Sequence, residues 1–314
     1  MDKGYRIMKF FNEISKKTAA SGCEDEIRSY IKSYLEGFET FTDVHGSLIA
    51  HKKGRGKAKM LVTAMDIPSL FVTHVMDNGF VRFCSNGIPK EKLMGLRVRF
   101  SDGAKGVVYG KDDKSEITDM YIDTGFSGDV LEADPAMIYS PPTKVGNTLS
   151  GFAIGSFACM RSVIDAANAL EDVNLYVVFL AKTVGRKSSP AFLKQIDEKI
   201  DALYCIDKSA ASDMPGEENK FITLGGGAVV RVMDKSMMAS KRLLDKAVSF
   251  SGSVKIMREV SKGISCGSVL HTAYDGIEGI SLALPVRYEG EAGECVSPFD
   301  IDELTKLIIK NLEV

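Results

Sequence analysis

The sequence has 314 residues, of which 45% are hydrophobic and 26% are charged. These proportions are typical of a folded globular protein and exclude a disordered, collagen-like or coiled-coil chain. Forty Lys and Arg residues nearly balance forty-two Asp and Glu residues, so no overall field attracts nucleic acid or an anionic membrane.

Nothing in the sequence predicts a membrane-spanning or exported chain. The longest uncharged apolar run, residues 175–181, is much shorter than the ~20 residues that cross a bilayer. The N-terminus leads into an amphipathic stretch and not into the apolar core of a signal peptide. The six cysteines are scattered without a CxxC pair, which predicts reduced thiols. We therefore expect a cytoplasmic location.

The first part of the chain is predicted to form two helices and then strands. Apolar residues recur at helical spacing over 7–14. Ser21 followed by Glu24 has the spacing of a capping box, which predicts that a second helix begins there. Residues 41–51 and 60–63 have the composition of strands.

Residues 68–142 differ in character. Short strand-like runs alternate with Gly, Asp, Ser and Asn, and no helical period continues for long. This pattern is typical of a small, mostly β domain.

After residue 142 the sequence returns to alternating helices and strands. The continuous apolar run over 174–181 is typical of a strand buried on both faces. Asp300 with Glu303 is interpreted as the cap of the last helix. The other predicted elements are helices over 151–170, 191–200 and 237–250, and strands over 202–207, 229–233 and 280–285. The predicted fold is therefore α/β, with one domain of residues 1–67 and 143–314 interrupted by the β domain.

The histidines do not predict a metal site by themselves. A catalytic pair of metal ions needs about five or six converging His and carboxylate ligands. No HxH, HxxxH or HExxH spacing links the four histidines, which are His45, His51, His74 and His271. Each is interpreted as structural or exposed.

Three further patterns are interpreted without a catalytic role. The spacing of Cys266 and His271 suits neither a helix face nor a strand face, so a thiol–imidazole pair is disfavoured. Lys208 and Ser209 are interpreted as part of a solvated polar loop and not as a dyad. The three glycines at 225–227 lack the context of a nucleotide loop and predict a sharp turn where backbone approaches backbone.

Asp66 and Asp207 are the best polar candidates. Each follows an apolar run and is predicted to lie at the end of a central strand, where open α/β sheets place their ligands. The alternative is that both carboxylates cap loops by accepting backbone N–H groups.

Several segments together resemble one known family. They are residues 21–24, 43–48, 64–66, 121–125, 206–207, 211–216, 285–288 and 294–296, with Asp300 and Leu304. In these segments, and in the order of its elements, nearly the whole chain is similar to the glutamyl-aminopeptidase/endoglucanase-like family of dinuclear metallo-aminopeptidases, which includes the tetrahedral aminopeptidases. The resemblance implies a three-layer α/β/α domain with a small inserted β-barrel-like domain, and it implies homo-oligomers.

The sequence departs from this family at the positions that bind metal. The resemblance places other residues where members have a His ligand, a bridging Asp, a general-base Glu, a ligand Glu and a final His. These are, in order, Ala64, Ser150, Lys182, Thr183 and Gly290. Of the metal ligands only Asp207 matches, and Asp66 matches the aspartate that orients the first histidine.

We therefore expect that the two-metal site does not form, that no cofactor is bound and that peptide hydrolysis is absent. A neutral hydroxyl cannot replace a bridging carboxylate, and Lys182 brings a positive charge to the place of two cations. An ion pair between Lys182 and Asp207 is expected to fill that place. The protein would then bind peptides or a protein partner, or act in assembly.

Two alternatives stay open. The first is a working aminopeptidase with a rearranged or single-metal site for zinc, cobalt or manganese, which uses Glu289, Glu291 or Glu294 as ligands. The second is a different enzyme that carries out metal-free chemistry with Lys182, Cys205 or Asp207.

Overall fold

The computed structural model describes residues 3–112, 114–126, 128–185, 188–217 and 221–313. In this part of the chain, no helix is both long enough and apolar enough to span a membrane. The α-helices are α1 (Lys3–Ile14), α2 (Asp25–Lys32), α3 (Ile154–Ala169), α4 (Lys241–Ser249), α5 (Ser268–His271) and α6 (Pro298–Leu312).

The strands of the described residues form one large sheet, one small sheet and a barrel. They are β1 (Glu39–Thr42), β2 (Leu48–Lys52), β3 (Ala58–Ala64), β4 (Ser69–Val75), β5 (Val81–Asn86), β6 (Arg97–Phe100), β7 (Lys105–Tyr109), β8 (Tyr121–Asp123), β9 (Pro135–Ile138), β10 (Thr143–Val145), β11 (Thr148–Gly151), β12 (Leu175–Leu180), β13 (Ile200–Ala210), β14 (Ala228–Met233), β15 (Ile256–Val260), β16 (Gly279–Val286) and β17 (Glu294–Val296).

The large sheet has the strand order β1-β2-β12-β3-β13-β16-β14-β15. Its centre is parallel, from β12 through β3 and β13 to β16, while β2 and β14 run antiparallel to their inner neighbours. Every residue of β12 and of β16 is buried. Such strands need cover on both faces, which is why β12 is an unbroken apolar run and Ser281 is the one polar residue of β16.

Helices cover the two faces of the large sheet. Residues that alternate along β3 face opposite cores: Leu61 joins the core with α3 and α6, while Met60 and Val62 join a second core with Phe192 and Leu270. This alternation follows from the two-residue period of a strand. The three-layer α/β/α prediction is thereby confirmed.

Strands β4 to β9 close into a six-stranded barrel in the order β4-β5-β8-β7-β6-β9. Alternate residues of β6, Val98 and Phe100, are buried in its interior, whereas Arg97 is exposed. The barrel interrupts the α/β domain between β3 and β10, as predicted for the inserted β domain.

The capping box predicted at Ser21 and Glu24 is wrong. Helix α2 begins at Asp25, and Glu24 at its N-cap makes no side-chain cap bond. The Ser21 hydroxyl instead donates to Asp66 (2.6 Å), and the Glu24 carboxylate accepts the backbone N–H of Lys182 (3.0 Å). Both side chains therefore form hydrogen bonds with distant residues in place of the predicted capping bonds.

The predicted cap of the last helix is also wrong. Helix α6 begins at Pro298, after Ser297 at the N-cap. Asp300 lies inside the first turn, and its two carboxylate oxygens accept the backbone N–H groups of Gly225 and Gly227, each at 2.7 Å.

The same contact confirms the sharp turn predicted at 225–227. Gly225 and Gly227 both have positive φ angles, and a Cβ atom on Gly227 would lie 2.2 Å from the carbonyl oxygen of Lys255. Only glycine permits this approach of two backbones.

Three predicted helices are shorter than expected. Only Ala191–Gln195 of the segment 191–200 is helical, as a 3₁₀ turn. Helix α4 begins after Ser240, which accepts a bond from the N–H of Leu243, and α3 begins three residues later than predicted.

Candidate functional site

A cavity of about 1090 Å³ opens at the carboxyl ends of β3 and β13. This volume is slightly above the usual range of ligand pockets, about 300–1,000 Å³. Ala64, Asp66, Thr183 and Asp207, four of the predicted site residues, line it. The position agrees with the rule that open α/β sheets bind ligands beyond the carboxyl ends of their strands.

Asp66 anchors the loop that follows β12. It is buried, and its carboxylate accepts hydrogen bonds from the backbone N–H groups of Thr183 (2.9 Å) and Val184 (3.0 Å). The hydroxyls of Ser21 and Thr183 also donate to it, each at 2.6 Å. Asp66 therefore caps a loop, which was one of the two interpretations of this residue.

Asp207 lies inside β13 and not at its end, because that strand continues to Ala210. Its carboxylate accepts the backbone N–H of Cys266 (3.1 Å). Burial raises the pKa of the Asp207 carboxyl, although the positive charge of Arg231 acts in the opposite direction. The side chain is partly exposed to the cavity.

Lys208, the next residue, holds an ion pair on the other face of β13. Its ammonium lies 3.0 Å from Glu294 Oε1 and 3.7 Å from Glu289 Oε1. The side chain of Glu294 is only 2% exposed, and that of Lys208 is 20% exposed. Burial lowers the pKa of Lys208, but the two carboxylates outweigh it and raise the pKa above its usual value.

Glu294 also ties this ion pair to the backbone around it. Its carboxylate accepts the N–H of Gly155 (3.0 Å) at the start of α3 and the N–H of Gly290 (2.9 Å). Gly155 has no side chain here because a Cβ atom would lie 2.7 Å from Lys208 Cδ. Lys208 and Glu294 are therefore a built-in part of the site, and the prediction of a solvated polar loop at Lys208 and Ser209 is wrong.

Arg231 on β14 is a second buried base that lines the cavity. The Arg231 guanidinium is 3% exposed and pairs with Glu259 (3.0 Å) and Asp234 (3.7 Å). It also donates to the carbonyl oxygen of Lys208 (2.8 Å). Asp234 in turn accepts the backbone N–H groups of Ser236 and Met237. The wall is therefore fixed by charge-assisted hydrogen bonds.

The remaining predicted site residues, Ser150, Lys182 and Gly290, are not among the residues that line the cavity. The Ser150 hydroxyl donates to the carbonyl oxygen of Gly293 (3.3 Å) in the small sheet. Among the ion pairs of residues that the structure describes, none joins Lys182 to Asp207. Lys182 has a left-handed backbone conformation (φ 56°) and does not line the cavity that Asp207 lines, and the predicted ion pair between them is wrong.

The candidates of the two alternative interpretations have other partners. Glu291 pairs with Lys92 (2.7 Å), while Glu289 and Glu294 face Lys208. Cys205 is fully buried, and burial raises the pKa of its thiol.

The histidines make ordinary local contacts. His271 Nδ1 lies 2.6 Å from the carbonyl oxygen of Ile277, so it does not face Cys266. His51 stacks on Tyr176, and His74 lies beside Glu132 on the barrel.

These side chains also bear on metal binding. Within the described ranges, no group of three or more His, Cys, Asp or Glu side chains is placed to hold a metal ion. The position next to Asp207 along β13 carries an ammonium that two carboxylates already neutralise. A centre of two divalent ions needs more free ligands than this arrangement offers.

Comparison with known proteins identifies the family. The model of the M42 glutamyl aminopeptidase family matches residues 46–307. The chain belongs to this family. A protein of Acetivibrio thermocellus, assigned provisionally as an aminopeptidase, is 27% identical over 98% of this chain and 97% of its own length.

Two solved peptidase structures share the fold. Aminopeptidase APDkam598 of Desulfurococcus kamchatkensis superposes with a TM-score of 0.91 at 22% identity, covering 99% of this chain and 96% of its own. The TET1 peptidase of Pyrococcus horikoshii, which can assemble into a tetrahedron or a large octahedral shell, gives 0.83 at 22% identity, with 98% and 99% covered. The predicted family resemblance and fold class are both confirmed.

Sequence reasoning missed Lys208, Glu294 and Arg231 as one electrostatic unit. One signal was available: Lys208 directly follows Asp207 at the end of an apolar run, and a charge in a central strand needs a partner. The partner, Glu294, lies 86 residues further along the chain. No local sequence pattern therefore indicates the pair.

Proposed function

We propose that this M42 homologue lacks the two-metal centre and peptide hydrolysis, and that it acts as a peptide-binding or assembly protein. The ion pair of Lys208 with Glu294 carries the proposal. It engages Glu294 and Glu289, carboxylates that a rearranged metal site could use, on the face of β13 opposite Asp207, the single metal ligand that the family resemblance retains. A divalent ion at Glu289 and Glu294 would be repelled by the ammonium and would compete with it for these carboxylates.

The ligand set supports the same conclusion. Glu289, Glu291 and Glu294, which a rearranged site would need, all face lysines. The cavity remains large and partly apolar at its rim, where Phe221 and Val260 are exposed. A concave surface of this kind suits a peptide segment without requiring its hydrolysis.

Metal analysis and activity assays test the proposal together. The purified chain is incubated with zinc, cobalt or manganese, desalted and measured by mass spectrometry, and the same samples are assayed on aminoacyl p-nitroanilides. We expect less than one tightly held ion per chain and no hydrolysis above the protein-free control. Two bound ions per chain together with hydrolysis would establish the working aminopeptidase instead.

A homo-oligomeric state is part of the proposal. The TET1 peptidase of Pyrococcus horikoshii assembles into closed shells, and this chain shares its fold over nearly its whole length.

A further inference from the structure

The barrel carries a second pocket, separate from the cavity of the large sheet. Its volume is about 450 Å³, which lies within the usual range of ligand pockets. Its lining includes Arg97, Lys105, Val107, Asp123 and Tyr139. Among the described residues, the two linings have no member in common. A ligand of this pocket would therefore bind apart from the site described above.

The strand register of the barrel puts four of these residues in one row. Arg97 on β6 lies opposite Val107 on β7, which lies opposite Asp123 on β8. On the other side of Arg97, the backbone N–H of Tyr139 donates to its carbonyl oxygen (2.7 Å). Neighbouring strands are about 4.8 Å apart, so roughly 10 Å separates the Cα atoms of Arg97 and Asp123. The pocket is therefore a groove that crosses the strands, with a basic end and an acidic end.

Arg97 and Lys105 form the basic end around the ring of Tyr139. The Lys105 ammonium lies 4.4 Å from the ring centre, and the central carbon of the Arg97 guanidinium lies 6.0 Å from it. Among the hydrogen bonds and ion pairs of the described residues, none involves these two cations or the Tyr139 hydroxyl. Arg97 and Lys105 are exposed, so a ligand can reach them from the solvent.

These donors favour a phosphate group over a carboxylate. A phosphate monoester carries a charge of about −1.5 to −2 at pH 7 and three strong acceptor oxygens. A carboxylate has a single charge and two oxygens. Arg97 and Lys105 supply two positive charges, and with the Tyr139 hydroxyl they make three donor groups. The phosphate therefore matches both the charge and the number of donors.

Asp123 restricts what the phosphate is attached to. One oxygen of its carboxylate accepts the N–H of Gly125 (2.8 Å), and the other has no partner among the residues that the structure describes. A carboxylate at this end repels a second anionic group, but it accepts from hydroxyl or amino donors. Val107 offers an apolar contact between the two ends. The rest of the ligand is therefore neutral and carries hydrogen-bond donors.

We propose that this groove on the barrel binds a phosphate monoester whose neutral body carries hydroxyl or amino groups. The phosphate pairs with Arg97 and Lys105, and the body donates to Asp123. A sugar phosphate and a nucleoside monophosphate share this chemistry. The inference goes beyond the proposed function and does not depend on whether the cavity of the large sheet holds a metal ion.

Calorimetric titration of the chelator-treated chain in phosphate-free buffer tests the inference. The probes are glucose-6-phosphate, adenosine monophosphate, inorganic phosphate and glucuronate, whose only charge is a carboxylate. We expect one site per chain for glucose-6-phosphate, for adenosine monophosphate or for both. The Kd of the ester that binds should be at least about tenfold lower than those of glucuronate and inorganic phosphate. The two esters distinguish a sugar phosphate from a nucleotide as the source.

Variants of the basic end test the phosphate contacts. Arg97→Gln and Lys105→Gln are each expected to weaken binding of the ester at least about tenfold, because each removes a charge-assisted contact. Tyr139→Phe, which keeps the ring and removes the hydroxyl, should weaken it several-fold. The matched control is Lys111→Gln, since Lys111 is an exposed lysine of the barrel outside the groove, and it should leave the affinity unchanged.

Asp123→Asn tests the acidic end. Asparagine can keep the hydrogen bond to Gly125 but lacks the charged acceptor. We expect this variant to reduce the preference for the ester over inorganic phosphate. Thermal unfolding verifies that every variant is folded.

Several results would overturn the inference. They are the absence of binding by both esters, glucuronate or inorganic phosphate binding as tightly as the esters, and affinities of Arg97→Gln and Lys105→Gln equal to that of Lys111→Gln. The metal and hydrolysis assays of the proposed function are separate measurements, so a failure of one proposal leaves the other standing.

Discussion

Lys208 and Glu294 show how much one buried ion pair determines here. Glu294 is almost fully buried and accepts two backbone N–H groups besides the ammonium. Forming such a pair adds little net stability, because desolvation offsets the attraction. Removing one partner strongly destabilises the protein, because the other charge is then left unpaired in the interior.

Lys208→Met is therefore expected to destabilise the protein by about 3 kcal/mol, at the lower end of the cost of breaking a buried pair, because Lys208 is partly exposed. Urea unfolding at neutral pH measures the change. The control is the double variant Lys208→Met with Glu294→Gln, which removes both charges and is expected to recover most of the loss. If the double variant is no more stable than the single one, the charge argument is wrong.

At the scale of elements, Asp300 joins α6 to the turn that precedes β14. Burial raises the pKa of its carboxyl from 3.8 to about 6, although the N–H groups of Gly225 and Gly227 act in the opposite direction. The folded state therefore holds the proton of Asp300 more tightly than the unfolded chain does. Its contribution to stability is complete below about pH 4 and is lost as the pH rises through about 6.

The stability of the wild type relative to Asp300→Asn is accordingly expected to fall by up to about 3 kcal/mol between pH 4 and pH 7.5. Urea unfolding of both proteins across this range gives the difference, which cancels the titration of all other groups. The exposed Asp77→Asn serves as the control variant and should show no such trend. A constant difference between wild type and Asp300→Asn would contradict the assignment.

The elements also show what the sequence could predict. The apolar run of β12 identified a strand buried on both faces, because such a strand consists almost entirely of apolar residues. The alternation of short strands and turns over 68–142 indicated the β insert for a similar reason. Both patterns depend only on residues close together in the sequence, so contacts with distant residues do not change what they predict.

The failed predictions depended on distant partners. Ser21 and Asp300 have cap residue types at cap spacing, but Asp66 and the glycine turn bind them instead. A capping pattern cannot tell whether a stronger tertiary partner exists. The predicted Lys182–Asp207 pair rested on aligned positions alone. Those positions do not reveal that the backbone of Lys182 adopts a left-handed conformation.

At the scale of the whole molecule, the exposed apolar side chains of the barrel bear on assembly. Phe126 is 78% exposed and Leu131 is 65% exposed. Exposed apolar side chains mark an interaction site where they form one contiguous patch, and the TET1 peptidase of Pyrococcus horikoshii, which can assemble into a tetrahedron or a large octahedral shell, shares this fold. We therefore expect the purified chain to form a homo-oligomer.

Multi-angle light scattering coupled to size-exclusion chromatography measures this mass directly. A multiple of the monomer mass that persists on dilution through the micromolar range is the expected result. Addition of a chelator serves as the control, because an assembly that does not need metal should keep its mass. A strict monomer at micromolar concentration would contradict the prediction.

The Lys208 ammonium differs from a metal ion in one further respect: it cannot dissociate from the chain. Its local concentration is fixed by a covalent bond, so neither scarcity nor excess of zinc in the surroundings alters the charge that Glu294 experiences. Molecules made with scarce or with abundant metal would then carry the same charge at Lys208.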